Sequence, residues 1–164
     1  MLVNSAPFRI RRAEPQDVEA MFGLICELAD YENLRHQVTG SVAALKSCLF
    51  GSDPVAEALV AEVEGSLVGQ ALFFTTFSTF LTQPGHYLED LYVQPAYRQQ
   101  GIGQALLVAL AQLTLERGYG RLEWVVLDWN IPAIEFYRKM GAELLTDWIP
   151  NRLTGEALQR LAQG

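Results

Sequence analysis

Apolar and polar positions along this chain follow two periods, and the switches between them mark its elements. Phe8-Arg9-Ile10-Arg11 alternates apolar with basic, as a half-buried strand does, and Glu14-Pro15 starts a helix with proline in its first turn. From Asp17 to Tyr31, Val18, Met21, Phe22, Ile25 and Leu28 follow the i, i+3, i+4 rhythm of a helix laid on a core. A shorter helix is expected over Val42–Phe50, stopped by Gly51-Ser52-Asp53-Pro54, and the loop between the two helices reads as a lid. Ala58–Val63 and Leu67–Phe77 are β-rich runs joined by Glu64-Gly65, which predicts an antiparallel hairpin with Ser78–Gly85 as an exposed connection onward. Tyr87–Val93 is a further strand, ended by Gln94-Pro95 because proline cannot donate to a sheet ladder. Ile102, Ala105, Leu106, Ala109, Leu110 and Leu113 then form one face of a helix reaching Arg117, with Gly118 and Gly120 at its exit. Arg121–Leu127 reads as a strand, and Asn130, Pro132 and Gly141 suit the cap, first turn and left-handed end of another helix. Ala142–Trp148 and the region around Asn151-Arg152-Leu153 are expected as short strands, and Thr154–Gln163 as a terminal helix. The order β-α-α-β-β-β-α-β-α-β predicts an α/β fold: a mixed, mostly antiparallel central sheet flanked by helices.

Length and charge narrow the function. A chain of 164 residues that is 50% hydrophobic is long enough for one domain with a real core, and neither repeats nor linkers interrupt it. A net charge of −7 disfavours a nucleic-acid surface and suits a small cationic substrate. Cys26 and Cys48 form neither a metal-ligand pattern nor a disulfide scaffold, which fits a reducing compartment. Cys26 borders the apolar stripe of its helix and reads as inert, having no activating neighbour in sequence. With no signal-like N-terminus and no apolar run long enough to span a bilayer, the expectation is a cytoplasmic protein without a membrane partner.

The candidate chemistry lies around Tyr87–Gln104. Arg98-Gln99-Gln100-Gly101-Ile102-Gly103-Gln104 carries glycines into a helix start, where unpaired N–H groups and the positive end of the helix dipole suit a phosphate. The dinucleotide fingerprint fails at Leu106, where it needs Gly or Ala, and the Gly-Lys-Ser/Thr of a P-loop is absent. Glu89 and Asp90 are candidate proton acceptors or anchors. Simple strand alternation would point them to opposite faces, and from the residues alone they read as exposed acids at a strand end. Asp30-Tyr31-Glu32 closes the first long helix with two acids and an aromatic, and Tyr137 lies inside a helix beside Phe136, where core packing is its plain reading.

Two spaced motifs add to this. Arg98-x-x-Gly101-x-Gly103 resembles the R/Q-x-x-G-x-G/A acetyl-CoA signature of the GNAT superfamily of N-acetyltransferases. Asn130-x-x-Ala133-x-x-Phe136-Tyr137-x-x-x-Gly141-Ala142 is similar to a second segment of that family. Glu27–Glu32, Tyr87–Val93 and Leu127–Ala133 together resemble the spermidine/spermine N1-acetyltransferase group with its diamine- and thialysine-acetylating relatives, a resemblance that runs from about Arg9 to Leu158. It implies the GNAT fold and acetyl-CoA as co-substrate, with Arg98, Gln99, Gln100, Gly101, Ile102, Gly103 and Gln104 around the pyrophosphate. Leu91 and Val93 would lie along pantetheine, and Asn130 would touch CoA. It further implies Tyr137 as general acid, Glu89 as a water-relayed base, Asp90 as an amine-facing carboxylate, and Tyr31 and Glu32 bordering an amine channel. Glu123 and Trp124 are further candidates for that channel's wall, and Arg152 for meeting an acceptor carboxylate. Homodimers are implied and no metal is required. The stretch Glu143–Trp148 departs from the animal polyamine enzymes. The resulting expectation is direct acetylation of a polyamine, diamine or thialysine-like amino acid. The alternatives are a protein N-terminus or aminoglycoside as acceptor, or an acetyl-CoA-binding module without chemistry.

Overall fold

The structure, a computed structural model, describes residues 7–164. The chain forms two compact units, one running to Val125 and the other from Val126 to Gly164. In the first, the elements are β1 (Arg9–Arg12), α1 (Val18–Tyr31), α2 (Val42–Phe50), β2 (Glu57–Val63), β3 (Ser66–Ser78), β4 (Gln83–Val93), α3 (Ile102–Glu116) and β5 (Leu122–Glu123). They build a five-stranded sheet in the order β1-β2-β3-β4-β5. Every neighbouring pair is antiparallel except β4 and β5. The mixed, mostly antiparallel sheet expected from the sequence is therefore present.

Helices cover both faces. Leu72, Ala58 and Val60 turn to the face covered by α1 and α2, where they form a cluster with Met21 and Leu49. Met21 is fully buried, and truncating such a side chain to alanine typically costs about 2–5 kcal/mol. The opposite face receives Phe73 and His86, whose rings meet edge to face 5.1 Å apart, beneath α3. Leu106, Leu110 and Ile102 of α3 are buried, so its apolar stripe is the one the spacing predicts. On α1 the buried stripe is Val18, Met21, Leu24 and Ala29, with Phe22, Ile25 and Leu28 half-buried at its margin.

A buried polar chain ties α3 to the sheet. The Thr114 hydroxyl donates to the Leu110 carbonyl at 2.7 Å, so its oxygen accepts from His86 Nδ1 at 2.9 Å. That leaves His86 Nε2 to accept from Arg117 at 3.1 Å, and Arg117 forks onto both carboxylate oxygens of Glu57 at 2.6 Å. His86 is thereby held as the neutral Nδ1–H tautomer.

Two connections differ from the sequence reading. The Ser78–Gly85 segment is strand at both ends around a turn at 79–82, because β3 and β4 run on to pair Ser78 with Gln83. The strand expected over Arg121–Leu127 shrinks to Leu122–Glu123, whose pairing with β4 ends at Tyr87, just before that strand bends.

In the second unit, α4 (Ile131–Lys139) is capped by Asn130, whose side chain accepts from Ala133 N at 3.4 Å, and Gly141 lies beyond it at φ +92°. The last helix, α5 (Gly155–Gln163), follows Thr154. Neither expected strand in 142–153 forms among the described residues. A strand needs a partner for its backbone groups, which apolar residues alone do not supply, and here Leu145, Trp148 and Ile149 are exposed.

Candidate active site

The site is organised by an irregularity in β4. Leu72 pairs with Asp90 and Phe73 with Leu88, so Glu89 has no partner on β3: it is the extra residue of a β-bulge. Directly opposed residues share a face, so Asp90 shares the α1 face with Leu72, while Leu88 shares the α3 face with Phe73. Uninterrupted alternation would have put Asp90 with Leu88. The bulge sets it instead with Tyr87, which stacks on Phe74 at 5.2 Å, and Tyr92, whose hydroxyl donates to Glu27 of α1 at 3.2 Å. Glu89 is exposed and Asp90 half-buried.

Charge is concentrated there. Burial pushes the Asp90 carboxyl up to about 6, and the neighbouring charges of Glu89 and Glu32 add to this. Burial also raises Glu32, the residue that caps α1. Asp90 therefore lies in the field of Glu89 and Glu32 across the end of α1 and the bulge, a cluster of negative charge that suits a cation. Tyr87 is raised by burial and by Glu89 and Glu123. Glu123 pairs in register with Tyr87 but makes a 3.2 Å ion pair with Arg121, so its field is partly matched. Trp124 follows β5 half-buried.

Gly101 is the N-cap of α3 at φ +84°, a left-handed conformation that glycine adopts without a Cβ penalty, and no side chain caps the helix. The first hydrogen bond of α3 runs from Ala105 N to Gly101 O, so the N–H groups of Ile102, Gly103 and Gln104 precede the intrahelical ladder. Gln99 is also left-handed, at φ +60°. Upstream, Gln94 N donates to Val68 O on β3. Alternation then directs the backbone groups of Tyr92 to β3 and those of Leu91 and Val93 to the other edge, where β5 no longer pairs. An extended chain beside β4 and an anion at α3 both suit this backbone.

Arg98 departs from the simplest form of that picture. Its Nε donates to the Val93 carbonyl at 2.8 Å, and its guanidinium lies 5.1 Å from the Tyr31 ring centre and 5.5 Å from that of Tyr92. Tyr31, expected to meet a substrate ammonium, already carries a cation on its ring. Gln94 joins the same group, donating to Glu27 at 3.0 Å. The sequence reading missed Glu27, Tyr92 and Gln94, although Glu27 lies one turn before Tyr31 on α1. In the second unit, Tyr137 is half-buried with its ring 5.3 Å from that of Phe136, and Arg152 is exposed outside any helix or strand. Among the described residues no group of three or more His, Cys, Asp or Glu side chains is placed to hold a metal ion, and no helix is long and apolar enough to cross a membrane.

Residues 25–142 match the acetyltransferase (GNAT) family, and a bulged sheet beside an uncapped, glycine-led helix suits the acyl-CoA that such transferases use. The chain belongs to that family: it is an N-acetyltransferase with acetyl-CoA as co-substrate. Its relatives include a thialysine N-epsilon-acetyltransferase of Mus musculus, 40% identical over 96% of this chain and 98% of the mouse protein. An L-ornithine N5-acetyltransferase of Arabidopsis thaliana is 32% identical over 93% of this chain and 87% of its own. Among solved structures, an integron cassette protein from the mobile metagenome of V. cholerae shares the fold, with a TM-score of 0.81 and 24% identity over 98% of this chain and all of the other.

Proposed function

We propose that the acceptor is a small molecule carrying a primary amine and a second cationic group, with a diamino acid of the thialysine or ornithine kind first and di- and polyamines next. The observation that supports this most is Asp90, a half-buried carboxylate turned by the bulge toward the end of α1, where Glu32 adds a second negative charge. Closely spaced carboxylates in a low-dielectric wall attract a polycation more than a monocation. The substrates of the mouse and plant relatives, as their names give them, are amino acids of this class.

In this reading acetyl-CoA supplies a thioester carbonyl, held through backbone amides of the 99–104 segment and the outward edge of Leu91 and Val93. Asp90 and Glu32 orient the ammonium. A free alkylammonium titrates at about 10.4, so its proton must leave before attack, and Glu89, exposed at the bulge, accepts it through water. The nitrogen lone pair forms the new N–C bond as the C–S bond breaks, Tyr137 gives its phenolic proton to the departing sulfur, and the proton shed by the acylated nitrogen returns through water to the Tyr137 phenolate. A phenol titrating at about 10 carries that proton at neutral pH. Asn130 contributes to the CoA side, Trp124 and Glu123 to the acceptor wall, and Arg152 to an acceptor carboxylate. One catalytic domain, a homodimer and a cytoplasmic location complete the proposal. They rest on the resemblance and on cysteine usage, and light scattering of the purified chain tests the dimer.

An acceptor panel tests the reading. Thiol release from acetyl-CoA is expected to be fastest with thialysine or ornithine, lower with putrescine and spermidine, and lowest with a monoamine. Arg152→Ala is expected to harm the amino acids more than the diamines. Fastest turnover with a peptide N-terminus or an aminoglycoside would overturn it.

A further inference from the structure

Arg98 belongs to the segment that opens α3, yet its side chain is committed elsewhere. It leaves the loop to lie against Tyr31, the last residue of α1, and Tyr92 of β4, while its Nε–H closes onto the Val93 carbonyl. Tyr92 in turn donates to Glu27, one turn before Tyr31 on α1, and Gln94 donates to the same carboxylate. The glycine-led opening of α3 and the C-terminal end of α1 are thus joined through one guanidinium. The loop that carries it holds left-handed residues at Gln99 and Gly101, a backbone that a bound anion can order as a unit.

We infer that Arg98 is a positioning residue for the acceptor: it transmits the ordering of the acetyl-CoA loop to Tyr31 and the end of α1, so that bound acetyl-CoA strengthens amine binding. This rests on the acetyl-CoA reading of the 99–104 segment. The phosphate is left to backbone N–H groups, and the arginine side chain serves the other substrate. Such coupling is reciprocal, so the amine must tighten acetyl-CoA by the same factor. A contact on the exposed Tyr31 ring, one on the buried Tyr92 ring and one hydrogen bond are enough for a coupling of about tenfold.

Hydrogen exchange of the full chain with and without acetyl-CoA, paired with steady-state kinetics, tests this. In the parent, acetyl-CoA is expected to slow exchange both at 98–104 and at 28–34. In Arg98→Ala, protection is expected to persist at 98–104 and vanish at 28–34. The acceptor KM should rise about tenfold, with kcat and the acetyl-CoA Kd each within about threefold of the parent. Arg98→Lys, which keeps a cation over the rings but loses the planar fork, should fall between. Tyr31→Leu, which removes a ring and leaves the loop intact, should reproduce the loss at 28–34 if the alanine variant does not fold. No protection at 98–104 in the parent would sink the acetyl-CoA reading itself. Protection there with none at 28–34, or an Arg98→Ala variant whose only defect is weaker acetyl-CoA binding, would overturn the coupling alone.

Discussion

Replacing Asp90 with asparagine is expected to stabilise the protein at neutral pH while weakening its use of a diamine or diamino acid. The carboxyl is shifted from 3.8 to about 6, by burial first and by Glu89 and Glu32 after it. The folded protein therefore binds this proton more tightly than the unfolded chain does. The destabilisation is fully present above about pH 6 and is relieved as the pH falls through 6 toward 3.8. At about 1.4 kcal/mol per tenfold in proton affinity, the shift corresponds to roughly 3 kcal/mol, an upper figure because an asparagine amide needs hydrogen-bond partners of its own. Urea unfolding followed by circular dichroism should show Asp90→Asn ahead by about 1–3 kcal/mol near pH 7.5, and by about half as much near pH 5. The same variant should raise KM for the dication more than for a monoamine, because one attracting charge is gone. A variant no more stable than the parent near pH 7.5, or an advantage that does not change with pH, would refute the reasoning.

Three further outcomes are expected. Gly101→Val places a β-branched residue at φ +84° and should cost about 1–3 kcal/mol of local strain, weakening acetyl-CoA in calorimetry more than tenfold; unchanged affinity would remove the backbone-amide account. Tyr137→Phe should lower kcat by about a hundredfold with acetyl-CoA affinity intact, and equal turnover under chemistry-limited conditions would return Tyr137 to packing beside Phe136. Burial, then Arg117, holds His86 below 6.5, partly opposed by Glu57, so the stability it contributes is present above pH 6.5 and lost as the pH falls below that value. Because Asp90 works in the opposite direction below pH 6, this acid loss is best read in an Asp90→Asn background, where His86→Gln should flatten it; a slope that persists would assign it to another group.

Local chemistry was legible where it decides structure locally. Glu64-Gly65 takes positive φ at both positions and makes the hairpin its letters announce, and Asn130, Pro132 and Gly141 bound α4 as their capping chemistry predicts. What the sequence hid depends on partners. The bulge at Glu89 is a register event between β3 and β4, so alternation along β4 alone assigns Asp90 to the wrong side of the sheet. The length of β5 depends on how far β4 can pair, and the strands expected in 142–153 do not form because β-propensity supplies no second edge. At the site, the glycine-led opening of α3 was readable because left-handed backbone selects glycine. Arg98 was assigned with the cofactor loop, and only the contact with Tyr31, far away in sequence, shows where its side chain goes.

The central claim, direct transfer of acetyl from CoA to a primary amine, is tested most directly by one stoichiometric measurement. Purified protein and acetyl-CoA are mixed with and without thialysine, and free thiol, acetylated amine and protein mass are read together. The account predicts thiol release only when the amine is present, equal amounts of thiol and side-chain-acetylated product, and no acetyl adduct on the protein. Thiol release without amine, together with an acetylated protein, would contradict it.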